Sequence, residues 1–337
     1  MVGLTSFPQH FRTAALNYWR DETVRSWILV NPTSIGDTWC VFALAQAFKD
    51  KHGGPLTMVV KESQAALAQM FPGAADRLIV WDDDRLRRFS MRLYGMASFD
   101  RDEPIVAHPY FFSNDCSIYK IIDLFSYPGR GGINLADQYR LMLQLDWDAP
   151  LSKPSIPDSW REEAETYAAT IGLDPGRSVV LFPDNNSVAA LPDTIWQTLT
   201  DELVGLGYKV FTNLFGNAQG ARTAPFAGAW PIRVNLRTAL PLVERAGRFI
   251  SMSNGISATL IGCGVRAQHE LFLLLPPEGE TLRITDIPVK DPVVVQSQRF
   301  VGFVEGPFRE FAIRPGDDNA ELIKAVARGD LSRAVSW

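Results

Sequence analysis

Apolar residues along this chain follow two alternating patterns. Short unbroken runs, Trp27–Val30, Leu56–Val60, Arg77–Trp81 and the stretch Pro104–His108, read as buried strands. Between them come segments with apolar residues three or four apart. Val41, Leu44, Ala45 and Phe48 mark one packed helical face, and Ser63–Phe71, "CSIYKIIDLFS" and "NLADQYRLMLQLD" read as further helices. Residues Asp146–Trp160 carry three prolines and interrupt the alternation, as a linker would. The alternation then restarts. Strands are predicted at Ser178–Pro183, Tyr208–Asn213, Pro231–Asn235, Arg248–Met252 and Ala267–Leu275. Helices are predicted at Pro192–Gly207, at Thr238–Gly247 with Pro241 a candidate for its start, and at Ile256–Gly264. Strands alternating with helices imply βαβ units and parallel sheets.

Two such series predict an α/β protein with two Rossmann-like domains facing each other. The expected division is residues 1–150, residues 151–316, and a closing helical segment, 317–337, that packs back across both. A chain of 337 residues is long enough for two cores of this size.

Charge narrows the function. A net charge of −5 lacks the basic face that nucleic-acid binding needs. Cys40, Cys116 and Cys263 form no C-x-x-C pair, and His10, His52, His108 and His269 show no metal-ligand spacing, so no metal and no cofactor is expected. The first residues lack the apolar core of a signal peptide, and "ELFLLLPP" is too short to span a bilayer. The expectation is a cytoplasmic protein with at most peripheral contact at the inner face of the membrane.

Open parallel sheets bind ligands beyond the carboxyl ends of their strands, near helix N-termini that suit phosphate. That rule singles out the loops Asn31–Asp37, Pro183–Ala190, Asn213–Gly220 and Ser251–Ser257. Asp37, at the hand-over from strand to helix, has two readings: a carboxylate that stabilises the helix start, or a chemical group aimed at a ligand. Likewise "PDNNSV" reads as a capping loop or as a set of phosphate and sugar contacts, and Gly255 as a tight turn or a backbone contact to a diphosphate.

The order "SIGD", "NLADQYRLMLQLDWDAPLSKPSI", "VVLFPDNNSVAALPDTIWQTLTDELVGLGYKVF" and "IRVNLRTALPLVERAGRFISMSNGISATLIGCGV" resembles the family-nine, heptosyltransferase-type glycosyltransferases. The resemblance runs from about Trp27 to Leu275 and implies the GT-B fold. It also implies inverting, metal-independent transfer from a nucleotide diphosphate sugar to a glycan or glycolipid, as in lipopolysaccharide or other surface-polysaccharide assembly. In that family the aspartate of S-[IM]-G-D is the general base, which corresponds to Asp37. Donor contacts are then expected from Asn185, Asn186, Ser187, Asn213, Ser253, Asn254, Gly255, Ile256 and Ser257. Acceptor contacts are expected from Ser34, Gly36, His108, Tyr110 and Arg130.

Three positions depart from the family. Its donor-side lysine falls at Ala189, and its D-[ST]-G-x-x-H reads Ser253-Asn254-Gly255-Ile256-Ser257-Ala258. Either another cation such as Arg222 or Arg237 takes over, or the donor is held differently, or transfer has been lost. The last alternative leaves a binding or regulatory protein; a nucleotide-sugar epimerase or hydrolase is a further one.

Other stretches have plainer readings beside their chemical ones. Asp82-Asp83-Asp84 contains D-x-D but reads more simply as a charged helix start. Arg130 sits in a glycine-rich stretch that suits a turn, and Tyr110, Phe111 and Phe112 suit a core as well as a sugar platform. His269 reads as a buried, satisfied histidine.

Overall fold

The computed structural model describes residues 27–31, 34–84, 86, 106–107, 135–185, 188–214, 222–284, 287–289, 292–298, 303 and 305–335. These residues divide into two compact units at Ser155 and Ile156. The predicted helix at "CSIYKIIDLFS" lies outside the described residues.

Unit one is built on a parallel sheet. Its strands are β1 (Trp27–Asn31), β2 (Leu56–Lys61), β3 (Arg77–Trp81) and β4 (Val106–Ala107), in the order β3-β2-β1-β4. The chain leaves β1 toward β2 and β3 on one side and returns with β4 on the other. The carboxyl ends of β1 and β4 therefore flank a topological switch point. Helix α1 (Ile35–His52) follows β1 directly. It is buried over far more than the single face its spacing predicts, with every residue from Gly36 to Ala45 inside. Phe71 packs edge-on to Trp39, at 6.0 Å between centroids, and stacks on Phe42 at 5.9 Å. The predicted helix Ser63–Phe71 breaks into a 3-10 turn at Glu62–Gln64 and a single helical turn, α2 (Leu67–Met70), ahead of Pro72 and Gly73. Helix α3 (Leu135–Met142) completes the unit.

Unit two opens with a helix that is not among those expected, α4 (Asp158–Ile171), which takes up the last residues of the expected linker. Its buried stripe, Trp160, Ala164 and Ala168, has helical spacing, and Gly172 ends it in the left-handed region. The sheet comprises β5 (Ser178–Phe182), β6 (Lys209–Asn213), β7 (Trp230–Ile232), β8 (Arg248–Met252) and β9 (Gln268–Leu274). A short antiparallel hairpin of β10 (Leu282–Ile284) and β11 (Ile287–Val289) precedes the last sheet strand, β12 (Phe308–Ile313). The order β12-β9-β8-β5-β6-β7 is parallel throughout, with its switch point between β5 and β8.

The remaining helices of this unit are α5 (Asp193–Gly205), α6 (Leu236–Ala246), α7 (Gly255–Gly262), the five-residue α8 (Pro292–Gln296) and α9 (Ala320–Arg328). Helix α4 packs on α6 and α9 packs on α5. Every residue of β5 and β8 is buried, so both faces of the sheet are covered. Pro241 lies inside α6 rather than at its start. Asn235 caps the helix by accepting the Thr238 N–H at 3.3 Å, and the buried Leu236, Leu240 and Val243 outweigh the hydrogen bond that proline removes.

Strand alternation sorts the buried charges by face. Arg248 and Glu270 share the α9 face. The guanidinium meets the carboxylate at 2.9 Å through Nη2 and 3.2 Å through Nε, and Nη1 donates to Ala327 O at 2.8 Å, tying the end of α9 to the sheet. His269 lies on the opposite face, stacked on Phe249 at 3.9 Å, with Nε2 2.7 Å from Ser251 Oγ. Its Nδ1 is buried without a partner among the described residues, so the histidine is buried as expected but only half satisfied.

Candidate functional site

Each unit has a helix that starts at its switch point, and each start is closed by a capping box. In unit one Ser34 is the N-cap and Asp37 the third helical residue. Asp37 Oδ2 accepts both the Ser34 hydroxyl, at 2.6 Å, and the Ser34 N–H, at 3.2 Å. Asp37 is 6% exposed, Gly36 is buried beside it and Ser34 is exposed. The carboxylate thus sits on the positive end of α1. Next along, the Thr38 hydroxyl lies 2.7 Å from Gln64 Oε1, which fixes that turn against the segment after β2. One turn on, burial first and then the Asp37 charge push the Cys40 thiol well up, against the opposing pull of Arg140.

In unit two Asn254 is the N-cap. Asn254 Oδ1 accepts the Ser257 N–H at 2.8 Å, and the Asn254 N–H is given to Ser257 Oγ at 3.1 Å. The cap does not use the N–H groups of Gly255 and Ile256. Gly255 lies in the helix and not at a positive φ, so the turn by itself does not demand glycine. Two amides stitch this start to the loop after β5. Asn185 Nδ2 donates to Ser253 O at 2.6 Å, and Asn254 Nδ2 donates to Asp184 O at 2.9 Å. Thus Asn185, Ser253, Asn254, Gly255, Ile256 and Ser257 come together at one switch point.

Asn213 ends β6 away from that pair of loops. Its Oδ1 accepts the Val234 N–H at 3.1 Å, holding the approach to α6. Asn186, Ser187, His108, Tyr110 and Arg130 lie outside the described residues.

Neither candidate replacement for the missing lysine is free. Arg222 pairs with Asp193 at the start of α5 and lies over the Phe226 ring at 4.0 Å. Arg237 pairs with Glu163 of α4 at 2.7 Å. Asp184, which lies in the "PDNNSV" loop but is not among the expected donor contacts, has its carboxyl pushed up, chiefly by burial, while the Arg222 N–H and charge pull it down. Gln298, equally unmarked, reaches the same loops: its Nε2 lies 3.3 Å from Ser253 Oγ and 3.2 Å from Asn254 O. No sequence periodicity marks Gln298, because its segment is held by hydrogen bonds to residues distant in the chain.

Among the described residues no cluster of three or more metal-ligating side chains occurs, and no helix is long and apolar enough to cross a membrane. In the D-x-D stretch, Asp83 accepts the Ser63 hydroxyl at 2.6 Å, a local structural bond.

No sequence-family model and no curated protein sequence matches the chain. Solved structures do. A family 9 glycosyltransferase from Veillonella parvula is 15% identical with a TM-score of 0.50, over 92% of this chain and 93% of its own. The E. coli heptosyltransferase WaaC with ADP is 13% identical with a TM-score of 0.50, over 90% of this chain and 99% of its own. The E. coli ADP-heptose LPS heptosyltransferase II is 12% identical with a TM-score of 0.49, over 84% and 89%. With its two Rossmann-like units, the chain has the GT-B fold of the family-nine glycosyltransferases.

Proposed function

We propose that this protein is an inverting glycosyltransferase that moves a sugar from a nucleotide diphosphate sugar to a glycan or glycolipid, in the cytoplasm, without a metal. The observation that carries this reading is that the two units each have a switch-point helix start, and the two starts differ in chemistry. At the first switch point the positive end of α1 is met by the protein's own carboxylate, Asp37. At the second, α7 carries no acid in its first turn, and its cap leaves the Gly255 and Ile256 N–H groups unused. A base on unit one and an anion-binding helix start on unit two are what transfer from a diphosphate requires.

In this mechanism Asp37 removes the proton from an acceptor hydroxyl. The hydroxyl oxygen bonds to the anomeric carbon as the bond from that carbon to the diphosphate oxygen breaks. The nucleoside diphosphate leaves with the electron pair and the anomeric configuration inverts. The α7 N–H groups stabilise the departing charge. The neighbour WaaC, whose structure holds ADP, supports a nucleotide sugar as donor class.

The rival reading is a binding protein on the same scaffold, favoured by Ala189, Ser253 and Ala258 in place of the family's lysine, aspartate and histidine. A thermal-shift panel of ADP, UDP, GDP and CDP, followed by turnover of the matching nucleotide sugar, separates the two. One nucleotide at ~100 times its Kd raises stability by about 2.7 kcal/mol if the donor site is real. Binding without turnover for any acceptor favours the rival. No binding at all removes the transferase reading.

A further inference from the structure

A segment of unit two crosses the ligand-binding edge of the sheet, and its bonding leaves one group unused. Gln296 is fastened to the end of β9, its Oε1 taking the Leu274 N–H at 2.8 Å and its Nε2 giving to Leu274 O at 2.7 Å. Glu310 on β12 accepts the Ser297 hydroxyl at 3.0 Å and the Gln298 N–H at 2.7 Å. These bonds set Gln298, only 4% exposed, against the loop after β8. Its Nε2 faces Asn254 O, which can only accept, and this fixes which end of the amide is nitrogen. The other end, Oε1, is buried and has no partner among the described residues.

A second acceptor belongs to a residue that also bonds Asn254. Asp184 takes the Arg222 backbone N–H on its carboxyl, while its Oδ2 is buried and likewise without a partner among the described residues. Its backbone oxygen receives the Asn254 amide, so Asp184 and Gln298 are each one hydrogen bond from the cap of α7. Buried acceptors are normally paired, and two left open at the edge where parallel sheets bind ligands call for two donors. Those donors are not phosphates, which offer only acceptor oxygens and would be repelled by a carboxylate. Nor do the loops at 183–191 and 253–254 contain a cation, and Arg222 is already committed to Asp193.

We propose that Asp184 and Gln298 accept hydrogen bonds from sugar hydroxyls of the ligand, while the Gly255 and Ile256 N–H groups take the phosphates of the same ligand. The inference rests on the nucleotide-sugar reading. A hydroxyl satisfies Asp184 whether its carboxyl is charged or neutral. The hydroxyls belong either to the ribose or to the transferred sugar, and both offer the same donor. Sites built around such hydroxyls discriminate strongly against analogues that lack them.

The test is calorimetric titration of the full chain with three ligands. They are the nucleoside diphosphate that the thermal-shift panel identifies, its 2′,3′-dideoxy analogue, and its hexose conjugate. If ribose is the source, the dideoxy analogue binds at least about tenfold more weakly than the parent. If the transferred sugar is the source, the conjugate binds at least about tenfold more tightly than the diphosphate. Asp184→Ala and Gln298→Met each erase that difference. Gln298→Met also cuts a tie to Asn254 and could loosen the loop, but the comparison between ligands on the unchanged protein needs no variant. Equal affinity for all three ligands overturns the proposal while leaving nucleotide binding standing. So does full discrimination in both variants. If none of the ligands binds, this inference and the transferase reading fall together.

Discussion

The starts of α1 and α7 use one device with opposite chemistry. Both follow a strand beside the switch point of a parallel sheet, and both close with a box between the N-cap and the third helical residue. In α1 the N-cap offers a hydroxyl and the third residue a carboxylate, so charge is built into the helix start. In α7 the N-cap offers an amide and the third residue a hydroxyl, so the start is closed but uncharged. A helix N-terminus that carries its own anion has little to gain from a second one, whereas one capped by neutral groups still attracts phosphate. Under the proposed transferase reading, proton handling falls to unit one and the leaving group to unit two, which neither cap alone would suggest.

The largest effect comes from removing the charge in α1. Asp37→Asn keeps an oxygen for the Ser34 hydroxyl, so the box survives and stability falls only by the macrodipole contribution, about 0.3–1 kcal/mol. Loss of a general base lowers transfer by roughly 10²- to 10⁴-fold. Nucleotide affinity stays as it was if, as proposed, the donor groups are those of unit two. A single-turnover assay beside a calorimetric titration reads both quantities. A variant that still transfers within about tenfold of the unchanged protein would reduce Asp37 to a cap, and the contrast between the helices would lose its meaning.

How much of this is legible in the sequence depends on what places each residue. Asp37 and Asn254 stand immediately after apolar runs and before helical spacing, so local pattern alone locates them. Helix α4 carries a readable signal, a Trp160, Ala164, Ala168 stripe ending at Gly172, but three nearby prolines mask it. Pro241 misleads in the opposite direction. Its local penalty is outweighed by the buried face of α6, which a rule about proline does not see. Strand β12 escapes the pattern because nothing in "FREFAI" reveals that it adds to β9 in parallel. Gln298 is beyond reach for the same reason: Glu310, Leu274 and Ser253 position it, and all three are distant in sequence. Residues that cap are legible, whereas residues delivered by long-range hydrogen bonds are not.

A smaller effect sharpens the comparison by cutting each cap in turn. Ser34→Ala and Asn254→Ala both remove an N-cap side chain, which costs about 0.5–2 kcal/mol of stability in either helix. Their functional consequences part. Ser34→Ala takes a hydrogen bond from the base and lowers kcat with nucleotide affinity unchanged. Asn254→Ala also cuts the tie to Asp184 O, so it weakens nucleotide affinity first. Denaturant titration measures the common loss, and the split between kcat and nucleotide Kd measures the difference. Equal functional profiles for the two variants would show that the caps are only structural.

The smallest effect concerns acid, and it belongs to unit two alone. His269 is enclosed by Phe249, Phe308 and Ser251, and burial holds its pKa well below the ordinary 6.5. Below pH 6.5 the unfolded chain takes up a proton that the folded state refuses, so folding stability falls as pH drops through that value. The steepest slope one such group can give is about 1.4 kcal/mol per pH unit. Glu270 acts in the opposite sense, because burial raises its carboxyl pKa above 4.5, and the folded state then holds a proton that the unfolded state has released. Glu310 shares the His269 face and is a third group to keep constant. His269→Phe leaves both acids in place and fills the same stacked position, so it isolates the histidine. Denaturant midpoints at about pH 7.5, 6.5 and 5.5 are expected to fall less steeply in the variant than in the unchanged protein. Identical slopes would mean that His269 takes up its proton as readily in the fold as in the unfolded chain, and that burial does not hold it neutral.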